Sequence, residues 1–369
     1  MVKEFRTWHD LGDNSKRMNG LKFRLMCYNI LSQNLIDDHR QLYQSIDPNS
    51  LNWPERGVKI MRELKSSNAD IICLQEVHFK HFREFFWPSL KSLGYNTVYK
   101  KKTGNKLDGC AIIYNPNKFV IQDCVKLEFF QRDISNSLDR DNVAIIIIFK
   151  PLLPELRDTK LVVATTHLLY NPRRGDVKLA QLRLLLAEID KLAFKSIKDG
   201  QISYHPVILC GDMNSQLDSP LYSFITKGYA NFKGIKVGDV SGQLEGRNRG
   251  NAINHTSLDV RGVSNDSRYI NRDKSDKNGQ ELNEENLETL SHNLKLHSVY
   301  PNDKSLISTN LTNEQGLVDY IFYGENEKLK LLGYKKLLTD KQMDQIRAIP
   351  NAYLGSDHLS LCAKFLLCS

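Results

Sequence analysis

Apolar and polar positions in this chain follow two periods. In "KFRLMCYN", Phe23, Leu25 and Cys27 alternate with Lys22, Arg24 and Met26, the period-two signature of a half-buried strand. Trp53 and Pro54 then open a helical stretch, with Pro54 in the first turn and Val58, Met61 and Leu64 at helical spacing. "ADIICLQEV" predicts the next strand, and "GCAIIY", "VAIIIIF", "KLVVATTH", "PVILCGD", "LVDYIFY" and "LSLCAKFLL" predict six further ones. Their centres are apolar throughout, as suits strands buried on both faces between a partner sheet and a helical layer. "DVKLAQLRLLLAEIDKLAF" is the clearest helix, carrying Leu179, Leu182, Leu186 and Ile189 along one stripe. Strands interspersed with helices predict an α/β fold.

A chain of 369 residues can bury a large core, and a layered α/β domain of this size can be single. We therefore expect an extension over residues 1–20 and one domain over 21–369. From about Gly246 to about His292, Asn, Asp, Arg, Ser and Glu dominate, and so few apolar residues cannot offset the entropy of ordering the segment. Strand patterns resume on both sides, so the stretch reads as a mobile insertion within the domain.

Composition narrows the class. The chain is 41% hydrophobic and 25% charged, and no apolar run approaches the ~18 residues of a membrane helix. The first twenty residues lack the apolar core of a signal peptide. The expectation is an intracellular monomer of the cytoplasm or nucleus, without a membrane partner. Seven cysteines lie mostly in apolar segments without metal-type spacing, as reduced core residues do. A formal charge of +8 suits a polyanion such as RNA and equally suits ordinary solubility.

Candidate chemistry sits where the predicted strands end. "LMCYN" ends on Asn29, "IICLQE" on Glu76, "VVATTH" on His167, and "ILCGDMN" on Asp212 and Asn214. "LVDY" carries Asp319, and "SDH" sets Asp357 and His358 before the final strand. Gathered on one edge, these supply two amides, four carboxylates and two imidazoles, an inventory suited to phosphoester hydrolysis at a hard metal ion. Mg²⁺ takes oxygen ligands and often only one or two carboxylates, so Glu76 suffices as an anchor. Asp212 can activate water, Asn214 and His167 can donate to phosphate, and a protonated His358 beside Asp319 can stabilise developing charge. Singly, each residue also fits a turn former, a solvated charge or a buried imidazole. Asp319 is the exception, because an unpaired carboxylate inside an apolar strand is costly.

The ordered set "CYNIL", "LQEV", "TTHL", "CGDMN", "VDYIFY" and "GSDHL" resembles the exonuclease-endonuclease-phosphatase superfamily over most of the chain. Within it, "KLDGCAIIY", "LDRDNVA", "THLLYNPRRGDVKLAQ" and "SPLYSFITKG" resemble the angel proteins, relatives of nocturnin and of the carbon-catabolite-repression deadenylases. The resemblance implies two packed mixed β-sheets flanked by helices, a four-layer α/β/β/α sandwich. It implies Mg²⁺, with Mn²⁺ as a substitute, on Glu76 with Asn29 nearby. It further implies Asp212 as base or water-orienting group, Asn214, His167 and His358 on the phosphate, Asp319 paired with His358, and Asp357 assisting the metal region.

The deadenylases are similar to one another in an aromatic residue ahead of the "DY" strand, which stacks adenine against a proline. Here that segment is "TNLTNEQGLVDY", polar throughout, while Pro172 remains in "YNPRRGD". Stacking is worth ~1–3 kcal/mol per base, so adenine preference should weaken. The resemblance to angel proteins then implies hydrolysis of terminal 2′,3′-cyclic phosphates on RNA 3′ ends, with a 3′–5′ exoribonuclease or poly(A) deadenylase as the alternative. Arg173 and Arg174 are candidate phosphate binders for either substrate, and Lys100, Lys101, Lys102 and Lys106 could extend a basic track. A noncatalytic RNA-binding scaffold would have no need of Glu76, Asp212 and His358 together, and a lipid or inositol phosphatase would call for a membrane-facing segment.

Overall fold

The computed structural model describes residues 2–12, 19–270, 288–311 and 314–369. Two sheets pack face to face. The first has seven strands: β1 (Trp8–Asp10), β2 (Gly20–Asn29), β3 (Ile71–Gln75), β4 (Asn96–Lys101), β5 (Gly109–Tyr114), β12 (Leu329–Lys335) and β13 (Leu361–Cys368), in spatial order β1-β12-β13-β2-β3-β5-β4. The second has six: β6 (Phe119–Glu128), β7 (Val143–Pro151), β8 (Leu161–His167), β9 (Val207–Asp212), β10 (Leu296–Ser298) and β11 (Asp319–Gly324), in order β10-β11-β9-β8-β7-β6. Both sheets are mixed, since β2 runs parallel to β3 and β8 parallel to β9 while the remaining neighbours are antiparallel.

Period-two alternation on β2 serves both of its faces. Phe23, Leu25 and Cys27 enter the core between the sheets with Ile145, Ile147, Val163 and Leu209. Met26 and Tyr28 point the other way, into a second apolar cluster with Ile60, Met61 and Leu64 of helix α1 (Trp53–Ser67). The C-terminal half of β2 is therefore buried on both sides, beyond the half-burial its alternation predicts. Exposed Val58 lies outside the α1 stripe expected from helical spacing.

Helix α2 (Gly175–Ala193) covers the second sheet, and burial extends well past its Leu179–Leu182–Leu186–Ile189 stripe to Lys178, Gln181, Arg183 and Glu188. Gln181 hydrogen-bonds Asn142 and the Leu169 amide, whereas Arg183 and Glu188 are covered by the polar stretch that follows helix α3 (Pro220–Lys227). Ile253, Leu258, Val260 and Val263 join the main core, and Arg183 donates to the carbonyls of Leu258 and Ser264. The expected mobile insertion is thus packed in its described part through Ile270. A few apolar residues suffice because they dock on a helix that already exists and need build no core of their own. The remainder of that expected insertion, 271–287, lies outside the described residues.

The described part of the expected N-terminal extension joins the first sheet. β1 pairs antiparallel with β12, and buried Arg6 donates to Glu63 and to the Ser360 carbonyl. Among the described residues, no helix is long and apolar enough to cross a membrane.

His292 fastens the far end of the polar stretch. Its Nε2–H donates to the carbonyls of Phe224 and Ile225 in α3, both at 3.0 Å, while Nδ1 accepts from the Leu294 amide at 3.3 Å. Burial pushes its pKa down to about 4, so the folded state holds the neutral ring. An ordinary histidine in the unfolded chain protonates near ~6.5. Stability from this group is therefore complete above that value and declines as pH falls toward 4, by up to about 3 kcal/mol. Urea midpoints across this interval should show the decline in the natural chain, and His292→Gln should be less stable at neutral pH with a shallower acid dependence. An identical pH dependence in the variant would exclude His292 as the cause.

Candidate active site

Strand register assembles the site. Asp212, the last residue of β9, stands opposite His167 of β8 in the parallel ladder and opposite Asp319 of β11 in the antiparallel one. Gly211 makes that approach possible: a Cβ there would sit 2.0 Å from the Thr166 carbonyl oxygen. In the first sheet Asn29 pairs with Gln75, which places Glu76 one residue beyond the ladder. Glu76 and Asn214 both adopt left-handed backbone, at φ 53° and 47°. Each strand ends sharply and its polar side chain turns into the cleft, at an energetic cost that the surrounding contacts must offset.

Asn29 joins the two sheets. Its Nδ2 donates to Glu76 Oε1 at 2.9 Å and to Asp212 Oδ2 at 3.0 Å, while its Oδ1 accepts from the Leu31 amide. Glu76 Oε2 accepts from the Ser32 amide at 3.1 Å. Asp212 Oδ1 accepts from the Asn214 amide at 2.9 Å, and Oδ2 lies 3.5 Å from His167 Nε2 and 3.8 Å from His358 Nε2. The Asn214 amide group donates to the Leu168 carbonyl at 3.0 Å and to His167 Nε2 at 2.9 Å. Accepting there puts the His167 proton on Nδ1, a buried atom without a hydrogen-bond partner, 3.8 Å from Glu76 Oε1.

The two imidazoles are driven apart. Burial, reinforced by Lys102, His358 and Lys178, holds His167 well below its usual pKa, so it is neutral. Burial would lower His358 as well, but Asp319, at 2.7 Å from its Nδ1, together with Asp357 and Asp212, holds it well above the usual value. His358 is thus the cationic partner of a buried pair. Burial and neighbouring carboxylates raise Glu76, and burial with the Asp319 charge pushes Asp212 up to about 7. Glu76, His167 and Asp212 each offer a ligand atom within 4.8 Å of the others, as do Asp212, Asp319 and His358. A buried excess of carboxylate oxygen is the donor set that a hard divalent cation fits.

Several supporting residues carried no local signal in the sequence. Ser308 donates to Asp319 Oδ2 at 2.7 Å, Tyr43 donates to Asp357 Oδ2 at 3.0 Å, and Lys178 donates to the Asn214 carbonyl at 2.8 Å. Lys102, at the start of the lysine-bearing loop, forms a 2.6 Å ion pair with buried Asp108.

The "NPRRG" turn differs from a phosphate clamp. Pro172 is buried and has no open face for a base. Arg174 forks onto Asp176 at 2.9 and 3.0 Å and lies 3.7 Å from Asp139, so its guanidinium is engaged by carboxylates of the chain itself. Arg173 is exposed.

Known proteins share the fold that carries this cleft. The Endonuclease/Exonuclease/phosphatase family matches residues 26–358. The chain belongs to that family. Among curated relatives, human protein angel homolog 2 is 40% identical over 388 residues, spanning 95% of this chain and 70% of the relative. The corresponding zebrafish (Danio rerio) protein is 37% identical, with 98% and 69% covered. The crystal structure of ANGEL2, a 2′,3′-cyclic phosphatase, in complex with adenosine-2′,3′-vanadate superposes with a TM-score of 0.85 at 40% identity, covering 98% of each chain. The human nocturnin catalytic domain, at a TM-score of 0.58 and 20% identity, covering 98% of this chain and 97% of its own, shares the fold. Two mixed sheets flanked by helices are the architecture expected of this family.

One buried cation holds the loops of the family's cleft together in this chain. Arg56 of α1 donates to the carbonyls of Ile30, Leu31 and Gly355 and to Gln33 Oε1, bracketing Asn29 on one side and Ser356–His358 on the other. Arg56→Ala would leave those carbonyls buried and unpaired, and breaking such a charged network costs ~3–5 kcal/mol. The urea midpoint should fall accordingly. A midpoint within experimental error of the natural chain would refute this role.

Proposed function

We propose that this protein is a metal-dependent phosphoesterase that hydrolyses terminal 2′,3′-cyclic phosphates on RNA. The observation that carries the chemistry is Asp212: a buried carboxylate with a near-neutral pKa, hydrogen-bonded to Asn29 and set beside the His358–Asp319 pair. The substrate follows from the likeness to ANGEL2, a 2′,3′-cyclic phosphatase, over nearly the whole of both chains. Pro172 supplies no stacking face, and the polar "TNLTNEQGLVDY" segment offers no aromatic in its place, which argues against an adenine clamp.

Glu76, with Asn29 beside it, would hold Mg²⁺, or Mn²⁺ in its place. When bound, the cation polarises a phosphoryl oxygen and offsets the negative charge of the cleft. Asp212 orients the attacking water through Oδ2 and accepts its proton as the water oxygen bonds to phosphorus, while Asn29 and the Asn214 backbone amide fix the carboxylate. The P–O bond to one ribose oxygen breaks, and that oxygen, still attached to the sugar, takes a proton from solvent. His358, kept protonated by Asp319, donates through Nε2 to the phosphate as charge develops there. His167 donates through Nδ1, whereas both side-chain N–H groups of Asn214, expected from the sequence to reach the phosphate, are taken by the Leu168 carbonyl and His167 Nε2, so Asn214 positions His167 instead. Asp357, anchored by Tyr43, adds negative charge that acts on Glu76 and His358. Arg173 remains a candidate partner for the RNA backbone.

Purified protein with Mg²⁺ should open RNAs ending in a 2′,3′-cyclic phosphate with little dependence on the terminal base, and should shorten poly(A) slowly or not at all. EDTA should abolish turnover. Rapid, adenine-selective shortening beside an untouched cyclic phosphate would return the protein to the deadenylases.

Asp212→Asn separates the base from a mere phosphate ligand, because an amide cannot take the proton. Its kcat should fall by about 10²–10⁴-fold, the usual worth of a positioned base, with a much smaller change in KM. A raised KM at unchanged kcat would remove Asp212 from the role of base.

A further inference from the structure

The segment after Glu76 carries aromatic and basic side chains that the phosphate chemistry does not use. Val77 and Gly109 exchange backbone hydrogen bonds at 2.9 and 3.1 Å, and the Phe79 amide donates to the Leu107 carbonyl at 2.8 Å. β5 runs antiparallel to β3, and Lys101 at the end of β4 pairs with Gly109 at the start of β5. The 102–108 turn and residues Val77–His81 therefore stand together at the sheet end that bears Glu76. Phe79 lies three residues past Glu76, so the wall they form begins at the strand end that carries Glu76.

That wall is built for flat ligands. Trp53 and His81 stack with centroids 3.6 Å apart and 4° between planes, and His78 lies 4.5 Å from His81. His78 Nδ1 accepts from the Lys80 amide at 3.2 Å, which fixes that ring. Burial lowers the pKa of both histidines, leaving neutral aromatic rings. Beyond them Phe79 is 41% and Leu107 46% exposed, large apolar surfaces beside a polar cleft. The Arg83 guanidinium lies 5.5 Å from the Phe79 ring centroid, and Lys80 and Lys106 are exposed nearby. Glu84, 3.9 Å from Arg83, is the acidic neighbour, while Asp108 is buried and paired with Lys102. Rings interleaved with cations are the means by which proteins hold single-stranded nucleic acid, the rings taking base faces and the cations tracking phosphates.

We propose that Phe79 and His78, with Lys80, Arg83 and Lys106, form a stacking shelf for the nucleotides immediately upstream of the RNA 3′ end. The shelf deepens the reading of the cleft as an RNA 3′-end phosphoesterase and rests on it for the direction of the strand. Stacking tolerates any base, so the shelf provides affinity for an oligonucleotide over a mononucleotide without sequence preference.

Two measurements test it. The first is the anisotropy of a short 5′-labelled RNA ending in a cyclic phosphate, titrated with metal-free protein in EDTA. The second is the ratio of kcat/KM for that RNA to kcat/KM for adenosine 2′,3′-cyclic phosphate. Phe79→Ala should weaken RNA binding at least about fivefold, the low end expected for one stacked base, and should shrink the oligonucleotide's advantage by a similar factor. Phe79→Trp should restore both. Lys80→Ala combined with Arg83→Ala should lower the salt slope of binding by about 0.7 for each phosphate that the two cations neutralise in the natural chain, whereas Arg62→Ala, on the groove between α1 and Phe85, should not change it. Unchanged affinity and an unchanged ratio in Phe79→Ala would overturn the shelf. Weakened RNA binding in Phe79→Ala by a protein whose natural chain hydrolyses neither substrate would support the shelf and sink the phosphatase reading.

Discussion

The register of β9 between β8 and β11 is the constraint on which the cleft depends. Asp212 meets His167 on one side and Asp319 on the other because the three strands end at matched positions. A slip of one residue would turn Asp212 into the core or away from its partners, since successive side chains point to opposite faces. Gly211 admits the close approach of β8, and the apolar residues Ile208, Leu209 and Cys210 lock the register by filling the core. Gln75 ties the other sheet to this one, donating to Thr165 Oγ1 at 2.8 Å directly beneath the hydrogen bond between Asn29 and Asp212. Packing energy thus fixes a polar constellation that would not assemble by its own attraction.

Burial then gives that constellation its chemical character. Four carboxylates and two imidazoles lie within the fold, where charge is poorly solvated and each group answers to its neighbours. His358 is held cationic by Asp319, and His167 is held neutral by burial and nearby lysines. The same residue type therefore stands in two protonation states within one cleft, an outcome of environment alone. Ser308, Tyr43 and Arg56 fix the partners in place through hydrogen bonds, so the negative charge of the cleft is oriented before any cation or substrate arrives.

Around this centre the chain adds surfaces of its own. The polar stretch beyond α3 covers α2 and converts an amphipathic helix into one buried on almost every side. Elsewhere, the segment from Val77 to His81 carries rings and cations next to Glu76 along the chain. The first of these surfaces is packed into the core, whereas the second leaves Phe79 41% exposed.

The polar residues that the structure gathers in the cleft were legible in the sequence because they interrupt apolar strands, and a polar group at the end of a buried strand is conspicuous. The central strands were legible for the same reason, while β4, β6 and β12, whose exposed and half-buried positions mix polar with apolar residues, gave no clean period. Other features became visible only in the tertiary structure. Arg56 and Ser308 act on residues distant along the chain, so neighbouring sequence says nothing of them. Arg174 looked open to phosphate until Asp176 and Asp139 were found around it, and Pro172 until it was found buried. Composition argued that the stretch after Gly246 could not fold, because composition counts apolar residues without counting the surface already waiting to receive them. Sequence by itself determined which polar groups end the buried strands. Three-dimensional packing decided their protonation, their partners and which cations remain exposed, because each of those depends on distance and burial, which are not encoded locally.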